Sequence, residues 1–274
     1  MTLVADDAAV VESTGEAPIQ SYLVTFNIRR FDPEVDAEPR WVDYDVELYP
    51  TDRVLDALHK IKWEVDGSLS FRRSCAHGIC GSDAMRINGV NRLACKVLMR
   101  DMLPKNPKKQ LTITIEPIRG LPVEKDLVVD MEPFFEKWRR AHGFFEPGAN
   151  PPDDFATVAP DSPARQEVDA GIECINCGVC YAACDVVAWN PDYLGPAALN
   201  RAWTLVNDVR DRGQAARLEA VSGDAGCQSC HTHMSCTEHC PKALAPTFAI
   251  AGLKRATARS ALKRLSARHF RRSA

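Results

Sequence analysis

The stretch CINCGVCYAAC, Cys174–Cys184, sets four thiols at CxxCxxCxxxC spacing. In such a run three thiolates grip one face of an iron–sulfur cube and the fourth reaches a different cluster, so the run needs a partner elsewhere in the chain. The partner is CHTHMSCTEHCP, in which Cys230, Cys236, Cys240 and Pro241 repeat the spacing and His233 stands in the place of the middle cysteine. Crossing the fourth members gives Cys174, Cys177, Cys180 and Cys240 for one centre, and Cys184, Cys230 and Cys236 for the other. Four thiolates suit a [4Fe-4S] cube; three suit a [3Fe-4S] cluster that lacks one corner. Structural zinc is the competing use of CxxC pairs, but one zinc takes four ligands and leaves the third cysteine of each run without a task. His233 reads as a bystander at the vacant corner, with imidazole ligation to iron as the alternative. Cys227, left over, reads as a buried structural thiol.

Working outward, a third group lies in the first half. Cys75 and Cys80 have the CxxxxC spacing of plant-type [2Fe-2S] ferredoxins, with Cys95 as the distal ligand, and the residue two after Cys80 is not cysteine but Asp83 in CGSD. A carboxylate is harder than a thiolate and favours ferric iron, so Asp83 can complete the cluster at an altered potential. The alternative is that Asp83 caps a turn while Ser82 or water ligates. Gly78 and Gly81 suit a loop whose backbone must approach the cluster sulfurs closely.

The rest of the composition agrees with two soluble domains built around such centres. The chain has 274 residues, 45% hydrophobic and 26% charged, with a net charge of -3, which gives no global attraction to nucleic acid. Its 11 cysteines are an odd number, which argues for metal or cluster ligation and against a disulfide framework. No Lys or Arg precedes Arg29, and the opening residues lack the basic and apolar regions of a signal peptide. They read as a flexible acidic tail, 1–19, on a chain kept in the cytoplasm. No run is long and apolar enough to span a bilayer. After Glu238 there is no acid, and Lys254 to Arg272 carries eight basic side chains, suited to a solvated face, anionic lipid or an acidic partner.

Residues 20–120 read as a small mixed sheet crossed by one helix. YLVTFNIRRF and WVDYDVELYP are strands, Thr51 is the expected cap of a helix running through Leu58 and Ile61 to Gly67, Asn88-Gly89 signals a type I′ hairpin, and LTITIEPI is a further strand. Residues 121–165 read as a connecting helix and a proline-rich linker. Residues 166–255 read as an α domain organised around its thiols, with Pro196 opening a helix, and 256–274 as a basic tail.

Taken together, SFRRSCAHGICGSDAMRINGVNRLAC, LVVDMEPFF, CINCGVCYAAC, NPDYLGPAA and CTEHCPK resemble the iron–sulfur subunit of the succinate dehydrogenase and fumarate reductase family. The resemblance spans residues 22 to 255. It implies an α+β chain: an N-terminal β-grasp [2Fe-2S] ferredoxin-like domain, then an all-α helical ferredoxin domain. It further implies a flavoprotein partner that carries FAD and handles succinate, membrane anchor subunits at the cytoplasmic face of the cell membrane, and quinone as electron partner. Asp83 is a known variant at its position in this family. The family's quinone site maps onto Trp189, His231 and Lys254, and no residue of this chain is expected to act on succinate itself. There are departures: Asp185 replaces a common proline, Ala188 a common tryptophan and His233 an apolar residue. The first half is more like succinate dehydrogenases and CINCGVCYAAC more like fumarate reductases, so the resemblance covers both directions of catalysis, and another flavin-dependent dehydrogenase could use the same ligands.

Overall fold

The computed structural model describes residues 20–104, 110–148 and 158–272, with side chains through 266. The acidic segment read over 1–19 and the middle of the proline-rich linker lie outside the described residues.

Alternation of apolar and polar residues builds the first sheet. Strand β1 (Tyr22–Arg30) buries Val24, Phe26 and Ile28, and β2 (Arg40–Leu48) buries Tyr44, Val46 and Leu48 while Asp43, Asp45 and Glu47 face out. Their antiparallel register sets Val24 against Val46 and Phe26 against Tyr44. The helix α1 (Val54–Lys60) follows, then the hairpin β3 (Ala84–Ile87) and β4 (Val90–Leu93), then β5 (Leu111–Pro117). Strand order is β2-β1-β5-β3-β4, with β5 parallel to β1 and every other pairing antiparallel. Asn88 and Gly89 take positive φ values of 47° and 78° in the hairpin turn, as its sequence required. Helix α1 buries Val54, Leu55, Ala57 and Leu58 in the core of this sheet.

Helix α1 differs from its sequence reading at both ends. Thr51 does not cap it, because Arg53 is extended and residues 52–54 pair with the segment around Leu98: Arg53 bridges Leu98, Val54 N–H donates to Val97 O at 3.0 Å, and Met99 N–H donates to Asp52 O at 2.8 Å. The helix therefore starts at Val54, and the Asp56 carboxylate accepts the Arg53 N–H at 2.8 Å. Its last turn, Ile61–Val65, widens to a π turn closed by Asp66 N–H to Ile61 O at 2.7 Å, so it stops before Gly67.

Asp66 ends the helix because Arg30 recruits its carboxylate at 2.5 Å. Arg30, buried, also donates from Nε to Asp126 Oδ1 at 2.9 Å, while Asp126 Oδ2 accepts the Ser70 N–H at 2.8 Å. This network anchors residues 66–70, from which the Cys75 loop departs. A short hairpin, β6 (Val123–Lys125) and β7 (Val128–Val129), and helix α2 (Glu132–Arg140) complete this half.

The second half is helical: α3 (Pro163–Ile172), α4 (Val179–Ala182), α5 (Asp185–Trp189), α6 (Pro196–Val206), α7 (Gln214–Ala220), α8 (Ser235–Glu238) and α9 (Pro246–Arg272). Helix α3 begins inside the stretch read as linker, because the Ser162 hydroxyl caps it at Arg165 N–H and Pro163 fits its first turn. Helix α9 runs without a break across residue 255, where the basic tail was expected to begin. Thr257 is buried against Cys227 and Gln228, so packing continues past that point. Among the described residues no helix is long and apolar enough to cross a membrane.

The two halves share one apolar core, and a buried charge pair fastens the joint. Arg217 on α7 meets Asp211 at 2.7 Å with both side chains fully inaccessible, and its remaining N–H groups donate to the carbonyls of His142 and Phe144 just beyond α2. Removing one member strands the other without water, so Arg217→Met should cost about 3–5 kcal/mol. Arg165→Ala, which breaks the exposed pair with Asp169, should cost less than about 1 kcal/mol. Urea unfolding of the two variants beside the parent measures both.

Candidate metal centres

The chain forms three groups of sulfur and oxygen donors. In the loop after residue 70, Cys75 Sγ accepts N–H groups from His77 at 3.4 Å, Ile79 at 3.3 Å and Cys80 at 3.3 Å. Those N–H dipoles, that of His77 foremost, draw the Cys75 thiol down to about 6. The loop reaches this shape through left-handed residues at Ala76, Gly78 and Gly81, and Arg53 holds it by donating to Ala76 O at 3.0 Å.

Asp83 is buried, and its two oxygens differ. Oδ2 accepts the Cys95 N–H at 2.6 Å, which fixes the carboxylate beside the distal cysteine. Oδ1 is buried with no hydrogen-bond partner. Ser82 points elsewhere in the group, its hydroxyl 3.1 Å from Cys80 Sγ. Burial, reinforced by Asp83, pushes the Cys95 thiol up to about 12. A buried carboxylate oxygen without a donor, next to a buried thiol, fits an electron-deficient partner such as iron.

In the helical half, Cys174, Cys177, Cys180 and Cys240 line one cavity, and Cys184, Cys230 and Cys236 line a second. The last thiol of each run thus lies with the first thiols of the other. The two runs share a backbone as well as a spacing. Asn176 and Thr232, each two residues after the first cysteine, have φ of 52° and 61°, and Gly178 and Met234, each four residues after it, have 77° and 65°. Each pair of left-handed turns leads into a four-residue helix, α4 or α8. Burial pushes the Cys177 thiol up to about 12 and raises Cys180 well above its ordinary value, with neighbouring thiols adding repulsion. Among the described residues no three His, Cys, Asp or Glu side chains converge on a point that would hold a single ion; the sulfurs stand around volumes. Such donors fit clusters that take several thiolates at their perimeter.

Two polar groups at these walls escaped the sequence reading. Tyr193 is buried in the wall of the three-thiol cavity and Asn200 in that of the four-thiol cavity; neither Tyr193 Oη nor Asn200 Nδ2 has a hydrogen-bond partner. An Asn amid the apolar face of AALNRAW was the available signal for the second.

The residues assigned to quinone by resemblance flank the three-thiol cavity. His231 lines it, and the Trp189 ring lies 5.8 Å from the His231 ring, 59% exposed and so not a core residue. Lys254 Nζ donates to Cys230 O at 2.6 Å and does not line the cavity. His233 lines it and stands 3.7 Å from Asp185. Cys227 is fully buried beside Thr257.

The first and second groups meet at Gly81. A Cβ there would lie 2.5 Å from Cys177 Cβ and 3.1 Å from Cys177 Cα, and φ is +69°. Close approach between the halves, in addition to loop geometry, therefore demands glycine. Gly81→Ala should lose at least about 1–2 kcal/mol through the left-handed backbone alone, and more through the clash. Gly223→Ala, with φ +80° and nothing within 4 Å, should lose only the backbone part. Thermal unfolding of the two variants separates the contributions.

Comparison with known proteins agrees with this arrangement. A family model described as a 2Fe-2S iron-sulfur cluster binding domain matches residues 25–136, and one described as a 4Fe-4S dicluster domain matches residues 173–245. The chain is 38% identical over 248 residues to a fumarate reductase iron-sulfur subunit of Mycobacterium tuberculosis, covering 88% of this chain and 96% of that protein. It is 39% identical over 231 residues to a succinate dehydrogenase iron-sulfur subunit of Paracoccus denitrificans, covering 84% and 86%. A chain in the solved structure of the Mycobacterium smegmatis Sdh1 complex in the apo form superposes with a TM-score of 0.77 at 26% identity, covering 88% of this chain and 98% of that one. On its two cluster domains and its full-length relatives, the chain belongs to the family of succinate dehydrogenase and fumarate reductase iron–sulfur subunits.

Proposed function

We propose that this chain is the electron-transfer subunit of a succinate:quinone oxidoreductase held at the cytoplasmic face of the cell membrane by anchor subunits. In this reading Cys75, Cys80, Asp83 and Cys95 hold a [2Fe-2S] cluster, Cys174, Cys177, Cys180 and Cys240 a [4Fe-4S] cluster, and Cys184, Cys230 and Cys236 a [3Fe-4S] cluster. When bound, these groups carry electrons singly between the FAD of a flavoprotein partner and quinone. The observation that carries the reading is the grouping of the thiols, with Cys240 beside the first run and Cys184 beside the second.

The chain's own residues prepare the sites. Backbone N–H groups on Cys75 Sγ stabilise its anionic form before any metal arrives. The Cys95 N–H orients Asp83 so that Oδ1 stays available. At the other end, exposed Trp189 and His231 offer a flat aromatic surface and an imidazole for a quinone ring and its carbonyl, and Lys254 braces the Cys230 backbone beneath them. Fumarate reduction would use the same ligands, and a relative carrying that name supports it as the second reading; the ratio of succinate oxidation to fumarate reduction by the purified complex decides the direction.

Electron paramagnetic resonance of the complex reduced with succinate should give three distinct cluster signals, and a colourless, zinc-rich protein would refute the assignment. Asp83→Cys should keep the [2Fe-2S] signal and move its midpoint potential, because ligand hardness changes at constant spacing; an unaltered potential would remove Asp83 from the ligand set. His231→Ala should slow quinone reduction about tenfold, the equivalent of one lost hydrogen bond of about 1.4 kcal/mol, with every cluster signal retained.

A further inference from the structure

Asn200 sits in the first turns of α6, four residues after Pro196, on the side of that helix facing the four-thiol cavity. It is 5% exposed, and its Nδ2 has no hydrogen-bond acceptor in the protein. A buried amide donor left unpaired is unfavourable, so a group in the cavity must satisfy it or the position would select an apolar side chain. The internal repeat supplies the comparison. Helix α9 also begins with a proline, Pro246, and the residue four after it is Ile250, which lines the three-thiol cavity. Packing at this position therefore needs no polar atom. Among the described residues lining the four-thiol cavity, Asn200 is the one whose side-chain donor is both buried and unpaired.

We infer that Asn200 is a tuning residue: its Nδ2 donates a hydrogen bond to sulfur of the group held by Cys174, Cys177, Cys180 and Cys240, raising that centre's reduction potential selectively. The inference rests on the [4Fe-4S] assignment proposed above. Reduction adds negative charge, a donor to sulfur stabilises the added charge, and the stabilisation appears as a higher potential. The fold places no amide at the equivalent position of the other cavity, so the effect distinguishes two centres that share a backbone plan.

The test is a redox titration of the intact complex, followed by electron paramagnetic resonance, with Asn200→Leu and Asn200→Ala. Leucine keeps most of the volume and favours the helix more than asparagine does, so it removes the donor with little other change. Both variants should retain the [4Fe-4S] signal and show its midpoint potential lowered by about 59 mV, a tenfold change for one electron, while the [2Fe-2S] and [3Fe-4S] potentials stay at their parental values. An unchanged [4Fe-4S] potential with the signal intact would overturn the inference and leave the ligand assignment standing. Loss of that signal in both variants would assign Asn200 to packing and also overturn it. Absence of the signal from the parent complex would instead overturn the ligand assignment, and the inference with it.

Discussion

The helical half depends on an exchange between its two cysteine runs. Neither run surrounds a cavity by itself: the first needs Cys240, the second needs Cys184. Burial, and then repulsion from neighbouring thiols, raises the proton affinities of Cys177 and Cys180, a cost that a cluster held by several thiolates would offset. Helices α4, α5 and α8 are four or five residues long, too short to persist on their own. Their order comes from packing: α4 lies against α6, α8 against α9 and α5 against α4, while α6 and α9 pack on each other.

The first half reaches the same end by other means. Its sheet and α1 have an apolar core of their own, and the Cys75 loop is an appendage held by Arg53 and by the Arg30, Asp66 and Asp126 network. Gly81 then brings that loop against Cys177, and Lys96 reaches across to Pro241 O at 2.7 Å. The two halves thus approach each other at Gly81, a place where no side chain larger than hydrogen fits.

Much of this was legible in the sequence because cysteine spacing has few physical uses. The exchange between runs, the strands of the sheet and the Asn88-Gly89 hairpin follow from spacing, alternation and turn chemistry alone. What was missed depends on partners distant in the chain. Thr51 has the right chemistry for a cap, but pairing of residues 52–54 with the segment around Leu98 moves the helix start. Helix α9 crosses residue 255 because Thr257 packs on residues contributed from before the second run. Gly81 reads as a loop glycine until Cys177 is seen against it, and Asn200 as one polar residue in an Ala-rich helix until the cavity wall is known.

The exchange of terminal thiols also sets a timetable for the nascent chain. The donors of the first centre are all present once Cys95 has been made, whereas both later cavities contain a thiol from the second run, and the four-thiol one waits for Cys240. At 5–20 residues per second the stretch from Cys180 to Cys240 takes roughly 3–12 seconds to make, during which Cys174, Cys177 and Cys180 have no closing partner. Maturation of the helical half is therefore bound to follow translation of its last cysteine, with the exposed thiols of the unfinished chain as its most oxidant-sensitive stage.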